Sequence, residues 1–404
     1  MTCSDSSGVF DGSIGQNFAT KLASKFVPHL EQGRLTLVLP NGDAIERSGA
    51  GRGPETRIEI RSWTALLRLA FQGDDGFVRG YLCDQIAIPD IVSTLDLAAC
   101  NEGAFASLTR SSFVNALLRQ IGHALHANTR AGSSRNIRAH YDLGNGFFRL
   151  WLDSAMNYSS GLYLDGDESL EEAQHRKIDR VLELLGLRDG ASVLEIGCGW
   201  GAFAERLLRN YDVKFTGITL SAEQLTYAKS RLHEDVTSGE AELRLQDYRD
   251  LAGRFDKIAS IEMIEAVGER YWPIYFRKLR QSLAEGGRAV IQAITIDESR
   301  FETYRSRPDF IQRYIFPGGM LPTHRVILEQ ANRVGLKLLH HEFFGDSYAK
   351  TLREWRNRFT KAAQELEQLG FDRRFRKLWD YYLAYCEVGF LRGSISVGLY
   401  AFGG

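Results

Sequence analysis

The chain has 404 residues, 44% hydrophobic and 25% charged, enough for two domains that each bury a core. Lys and Arg number 50 against 51 Asp and Glu, so no net charge draws the protein to nucleic acid. The five cysteines (Cys3, Cys83, Cys100, Cys198, Cys386) form no CxxC pair, which excludes a zinc framework and leads us to expect reduced thiols in a cytosolic protein. The polar start MTCSDSSGVFDGSIG lacks a basic-then-apolar signal segment, and no apolar run nears the ~20 residues that span a bilayer.

Residues 1–126 read as a small α+β accessory domain. RLTLVLPNGDAIERSG predicts a hairpin around Pro40-Asn41-Gly42, TRIEIRSW a further strand, and TALLRLAFQG a helix closed by Gly73. Residues 127–168 are rich in Gly, Ser, Asn and Arg, as a linker feeding a covering loop would be. His123 and His126 lack a matching third ligand, so no metal site is expected. Over residues 169–404 the pattern alternates. LEEAQHRKIDRVLELLGL, AFAERLLRNY, AEQLTYAKSRLHE and YWPIYFRKLRQSLAEGG predict helices, the last stopped by its two glycines. SVLEIG, VKFTGITL, AELRLQD, FDKIASIEMIEAV and RAVIQAITI predict strands, and this alternation implies a parallel sheet covered on both faces. Tyr348 to Arg392 reads as mostly helical.

The turn in SVLEIGCGWGAFAERLL joins the first of these strands to its helix, where a ligand can approach the backbone near a positive helix end. Its glycines, Gly197, Gly199 and Gly201, follow GxGxG rather than the dinucleotide GxGxxG. Glu195 beside the turn suits an ammonium or sulfonium group better than a pyrophosphate. LEIGCGWG resembles motif I of class I S-adenosylmethionine-dependent methyltransferases, which have an α/β Rossmann-like fold. The second strand ends in GITLSAEQL, with no carboxylate to hold ribose hydroxyls.

From about Asn136 to Ala401 the chain resembles the cyclopropane-fatty-acyl-phospholipid synthases and the mycolic acid cyclopropane synthases. The resemblance rests on HYDLGNGFFRLWLDSAMNYSSGLY, VLEIGCGWG, GITLSAEQL, LRLQDYRDL, SIEMIEAVGERYW, DFIQRYIFPGGMLP and FFGDSYAKTLREW, in that order. It implies a class I methyltransferase fold with a helical lid. It further implies methyl transfer from S-adenosylmethionine to the double bond of an unsaturated acyl chain on membrane phospholipid. A cyclopropane is the expected product; a methylene, methyl-branched or furan-type precursor is the alternative.

The cofactor contacts implied are Tyr158, Ser159, Glu195, Gly197, Gly199, Gly201, Thr219, Leu220 and Gln224, with Asp247 and Tyr248 near the adenine and Ile261 at a strand end. The resemblance also implies a bicarbonate ion held by Glu265, Tyr348, Ser160, Gln292 and the backbone of Ile294. Ser160 and Gln292 stand where the best-known bacterial members have Cys and His, and a neutral Gln holds an anion less firmly than a cationic His. Cys386 aligns with a cysteine the family is often assigned in its active site, although the chemistry needs no covalent intermediate. Cys198 reads as packing and Glu262 as structural.

An alkene is a weak nucleophile and a cation develops on the chain, so the site should be dry, with Phe147, Phe148, Trp151, Tyr271, Trp272, Tyr314, Phe316 and Phe343 as candidate lining. KTLREWRNRFTKAA and FDRRFRKLWDYY interleave basic and aromatic residues, fitting either an interfacial helix or a solvated helix with an aromatic core side. The expected location is cytoplasmic, peripheral to the inner face of the membrane, and a homodimer stays open.

Overall fold

The computed structural model describes residues 29–104, 143–165 and 167–404; His123, His126 and the linker residues 127–142 lie outside them. The chain divides into two compact units, 1–114 with 366–392, and 115–365 with 393–404. Residues 366–392, grouped with the catalytic domain on sequence, thus belong to the first unit.

In the first unit β1 (Gln32–Val38) and β2 (Ala44–Ser48) form the expected antiparallel hairpin. Its turn is closed by the Gly42 N–H donating to the Leu39 carbonyl (2.9 Å), with Gly42 at φ +87°. β3 (Gly51–Ile60) runs parallel to β1, and β4 (Ile86–Ala87) completes the order β2-β1-β3-β4. Leu35, Leu37, Ile60, Leu66, Ile86 and Leu97 form the core. The helix Trp63–Gln72 stops at Gly73, as its sequence predicts. The helix Arg373–Leu391 joins this unit, with Lys377 Nζ 3.0 Å from Asp84 and Arg392 paired with Asp96 at 2.8 Å. Cys83 is disulfide-bonded, against the expectation of reduced thiols, whereas Cys100 and Cys198 are free.

The second unit is built on a seven-stranded sheet in the order β10-β11-β9-β8-β5-β6-β7. β5 (Ser192–Ile196), β6 (Lys214–Thr219), β7 (Ala241–Leu245), β8 (Phe255–Ile261) and β9 (Leu283–Ile296) are parallel. β10 (Lys337–Phe343) and β11 (Ile395–Gly403) add an antiparallel edge. Val193 and Leu194 enter opposite cores, as do Leu399 and Tyr400, because successive strand residues face opposite sides and both faces are covered. The helix Trp272–Ser282 ends before the two glycines expected to stop it. β9 starts at the fully buried Leu283, which pairs with Phe255, and Gly286 at φ +65° sits within the irregular register that follows.

The helix Leu170–Leu185 carries a capping box, Ser169 with Glu172, and ends on Gly186 in the left-handed region (φ +59°). Its buried stripe runs through Leu170, Ala173, Gln174, Lys177, Ile178 and Val181. Two polar side chains therefore enter the interior from an otherwise apolar face.

Candidate active site

The glycine turn opens at the carboxyl end of β5, where a doubly wound sheet receives its ligand. Gly197, Gly199 and Gly201 all have left-handed φ, +87°, +52° and +85°. A Cβ at Gly197 would lie 2.5 Å from Met263 Cγ, so this glycine lets the loop after β8 close against the turn. A Cβ at Gly199 would meet nothing within 4 Å, as expected of a backbone that a ligand approaches. Glu195 is buried with Oε2 unpartnered, and burial pushes its carboxyl up to about 8 against the pull of Lys177. A sulfonium would add a second positive neighbour on the side of the unpartnered oxygen.

At the end of β6, Thr219 Oγ1 donates to Gln224 Oε1 (2.9 Å) and accepts from the Ser221 N–H (3.1 Å). Ser221 caps the helix Ala222–Arg231, so this hydroxyl–amide pair stands where a carboxylate is absent, with Leu220 half-buried between. Asp247 accepts from the Arg249 backbone (2.9 Å) and pairs with its guanidinium at 2.5 Å. Tyr248 is buried edge-on to Tyr275, ring centres 5.6 Å apart, and Ile261 is half-buried at the end of β8.

Tyr158 lies within 5.5 Å, centre to centre, of Phe148, Trp151 and Trp355. Ser159 Oγ accepts from the buried Lys177 Nζ (2.8 Å) and its carbonyl from Gln174 Nε2 (2.7 Å). Burial lowers the Lys177 ammonium to about 8, against Glu262, Asp153 and Glu195, which draw it up. Lys177 was missed on sequence; its signal is a charged residue on the apolar stripe of an amphipathic helix.

Glu262, read as structural, sits at the centre of the expected ion site. Its Oε1 accepts from the Ser160 N–H (2.9 Å) and Gln292 Nε2 (2.7 Å), and its Oε2 from the Tyr348 hydroxyl (2.6 Å). The Ile294 N–H donates to Glu265 Oε1 at 2.5 Å. Burial and then the Glu262 charge push the Glu265 carboxyl up to about 8. Of the five groups expected to hold bicarbonate, the four donors thus serve carboxylates of the chain itself. Of the buried side-chain atoms left unpartnered on the five, Gln292 Oε1 can only accept, and Glu265 Oε2 offers at most the one proton its raised carboxyl holds, whereas an anion needs several donors. As these side chains stand, bicarbonate does not fit.

Residues 128–399 match the mycolic acid cyclopropane synthetase family. The chain belongs to this family. It is 35% identical over 390 residues to a tuberculostearic acid methyltransferase of Mycobacterium tuberculosis, covering 94% of this chain and 89% of that protein. It is 37% identical over 261 residues to the cyclopropane-fatty-acyl-phospholipid synthase of Escherichia coli K12, covering 64% of this chain and 65% of that protein. A solved mycolic acid cyclopropane synthase, complexed with SAH and CTAB, superposes with a TM-score of 0.63 at 30% identity, covering 67% of this chain and 98% of that one. The protein therefore has the class I methyltransferase fold and is an S-adenosylmethionine-dependent methyltransferase. The open space at Gly199 and the unpartnered Glu195 oxygen fit that cofactor.

Cys386 is a half-buried thiol on the helix Arg373–Leu391 of the first unit. Cys198 is buried packing, its thiol pushed well up by burial. Phe343 is exposed on β10, so it does not line a dry pocket, whereas Phe147, Phe148, Trp151 and Trp272 are buried. The two basic–aromatic stretches turn Trp355, Phe359, Trp379, Tyr381 and Tyr382 inward, which favours the solvated helix with an aromatic core side.

Proposed function

We propose that this enzyme methylates the double bond of an unsaturated fatty acyl chain on membrane phospholipid and closes it to a cyclopropane. The observation that carries the reading is a carboxylate cluster, Glu262 with Glu265, in the loop that closes on the glycine turn through Met263. When bound, S-adenosylmethionine supplies an electrophilic methyl group on a sulfonium. Gly197, Gly199, Glu195, Thr219 and Gln224 would hold it, with Tyr158 and Ser159 toward its methionine end. The chain's own residues then meet the needs of an alkene substrate. Phe148, Trp151, Tyr158 and Trp355 wall out water that would quench a cation, and a carboxylate beside the turn stands ready for a proton from the newly added carbon.

The likeness to a tuberculostearic acid methyltransferase over 94% of the chain supports a second reading, in which a neighbouring carbon loses the proton and an open-chain methylated acid results. Among the described residues no helix is long and apolar enough to cross a membrane, and we propose that the enzyme works from the bilayer surface. The test is incubation with S-adenosylmethionine and vesicles of monounsaturated phospholipid, followed by mass spectrometry of the released fatty acids. A ring-containing acid supports the first reading. A methylene or methyl-branched acid moves the enzyme to the second, and no product from any unsaturated phospholipid overturns both.

A further inference from the structure

We propose that Glu262 is a built-in carboxylate that takes the seat of a bound anion and accepts the proton lost when the ring closes. Three donors from distant parts of the chain converge on this one side chain: the Ser160 N–H, Gln292 Nε2 and the Tyr348 hydroxyl, at 2.9, 2.7 and 2.6 Å. They are the donors that a free anion would need. A carboxylate has about four lone-pair positions, so three accepted bonds leave one open for a proton.

The backbone supports the same assignment. Glu262 has φ +49°, and among the described residues only Asp84 and Met156 share a positive φ without being glycine. Such a conformation is strained for a residue with a side chain and persists where surrounding contacts over-determine it. Here the Glu262 N–H donates to the Gln292 carbonyl at 2.9 Å, while Gln292's side chain returns to the carboxylate. The next residue, Met263, packs on Gly197, so the carboxylate and the cofactor turn share one loop contact. Burial pushes the Glu262 carboxyl above its ordinary range, against the pull of Tyr348, Ser160, Gln292 and then Lys177. The balance brings a carboxylate nearer to neutral pH, where a base works well.

The step rests on the acyl-methylation reading. After methyl transfer the chain carries a cationic carbon next to the one bearing the new methyl. A C–H bond of that methyl breaks; its electron pair forms the second C–C bond and closes the ring, and its proton passes to Glu262. The protonated carboxyl returns the proton to solvent after product leaves. No external base takes part.

The test uses the full-length enzyme with S-adenosylmethionine and dioleoyl phospholipid vesicles in carbon dioxide-free buffer, with and without added bicarbonate. Carbon-13 bicarbonate binding is followed separately by NMR. The wild type should turn over equally in both buffers and bind no bicarbonate. Glu262→Ala vacates the seat, so it should lose about 100-fold or more in rate, bind bicarbonate, and recover activity as bicarbonate is added. Glu262→Gln fills the seat without basicity and should stay inactive with or without bicarbonate, while keeping the wild-type melting temperature and cofactor affinity. A wild type that binds bicarbonate or needs it for activity overturns the proposal, as does near-normal turnover by Glu262→Gln. Should no vesicle give product, the substrate reading fails by itself, and the contrast in bicarbonate binding between wild type and Glu262→Ala still decides who holds the seat.

Discussion

Replacing Lys177 with methionine removes the buried ammonium while keeping an unbranched side chain in the helix Leu170–Leu185. Burial takes that ammonium from its ordinary 10.5 down to about 8, even with Glu262, Asp153 and Glu195 drawing it up. At about 1.36 kcal/mol per tenfold change in proton affinity, holding the charge costs the fold roughly 3 kcal/mol. The sign follows from the lowered value. The cost is present in full below about pH 8 and shrinks as pH rises toward 10.5. Lys177→Met should therefore raise the melting temperature at pH 7, by about 5 °C for a unit of this size, and the gain should narrow by pH 10. The same change strips Glu195 and Glu262 of a positive neighbour, so both hold protons to higher pH. Turnover on unsaturated phospholipid should fall by about 100-fold or more, and the acid limb of the pH–rate profile should move upward. Thermal unfolding followed by circular dichroism, beside methyl-transfer rates from pH 6 to about 9, checks both arms. A lower melting temperature with an unmoved pH profile would refute the reasoning, because Lys177 would then be a structural cation.

Glu195 and Glu265, both pushed up to about 8, favour the folded state while protonated, so the cofactor-free enzyme should lose stability as pH rises from about 5 through 8. S-adenosylmethionine should release up to about one proton from Glu195 on binding at pH 7, and S-adenosylhomocysteine, which lacks the sulfonium, fewer; calorimetry in buffers of different ionisation enthalpy reads the difference. Gly199→Ala places a methyl in open space at φ +52°, so it should cost only about 1–2 kcal/mol of stability yet weaken cofactor binding much more, as titration calorimetry would show. Trp355 is fully buried against Trp151, Tyr158 and Tyr348, and Trp355→Ala should cost about 3–5 kcal/mol by denaturant unfolding, with Trp355→Phe far milder.

Much of the fold was legible because local chemistry and tertiary structure agree. The strand β5, its glycine turn and the helix Ala202–Asn210 each follow from short-range pattern, as do the hairpin at Gly42 and the helix stop at Gly73. Legibility ended where long-range pairing overrode local signals. Gly286 and Gly287 look like a helix stop, but the buried pairing of Leu283 with Phe255 draws the whole stretch into β9. The helix Arg373–Leu391 follows catalytic-domain residues in sequence, yet its partners Asp84 and Asp96 lie nearly 300 positions earlier.

The candidate site shows the same division more sharply. Which side chains matter is visible residue by residue, but what each donor serves depends on contacts 102, 30 and 86 positions away, from Ser160, Gln292 and Tyr348 to Glu262. On sequence, Glu262 and Glu265 could be weighed only as two carboxylates on an ideal helix or an ideal strand. Neither geometry occurs. Glu262 turns through a left-handed φ after β8, and Glu265 lies in the short helix Ile264–Val267, so one carboxylate takes three donors and the other takes the Ile294 N–H. Substituting Gln for a cationic His then has a physical meaning. Held against a permanent carboxylate, a neutral amide donor suffices, and a cation there would bind the carboxylate's proton-accepting electrons too tightly for it to act as a base.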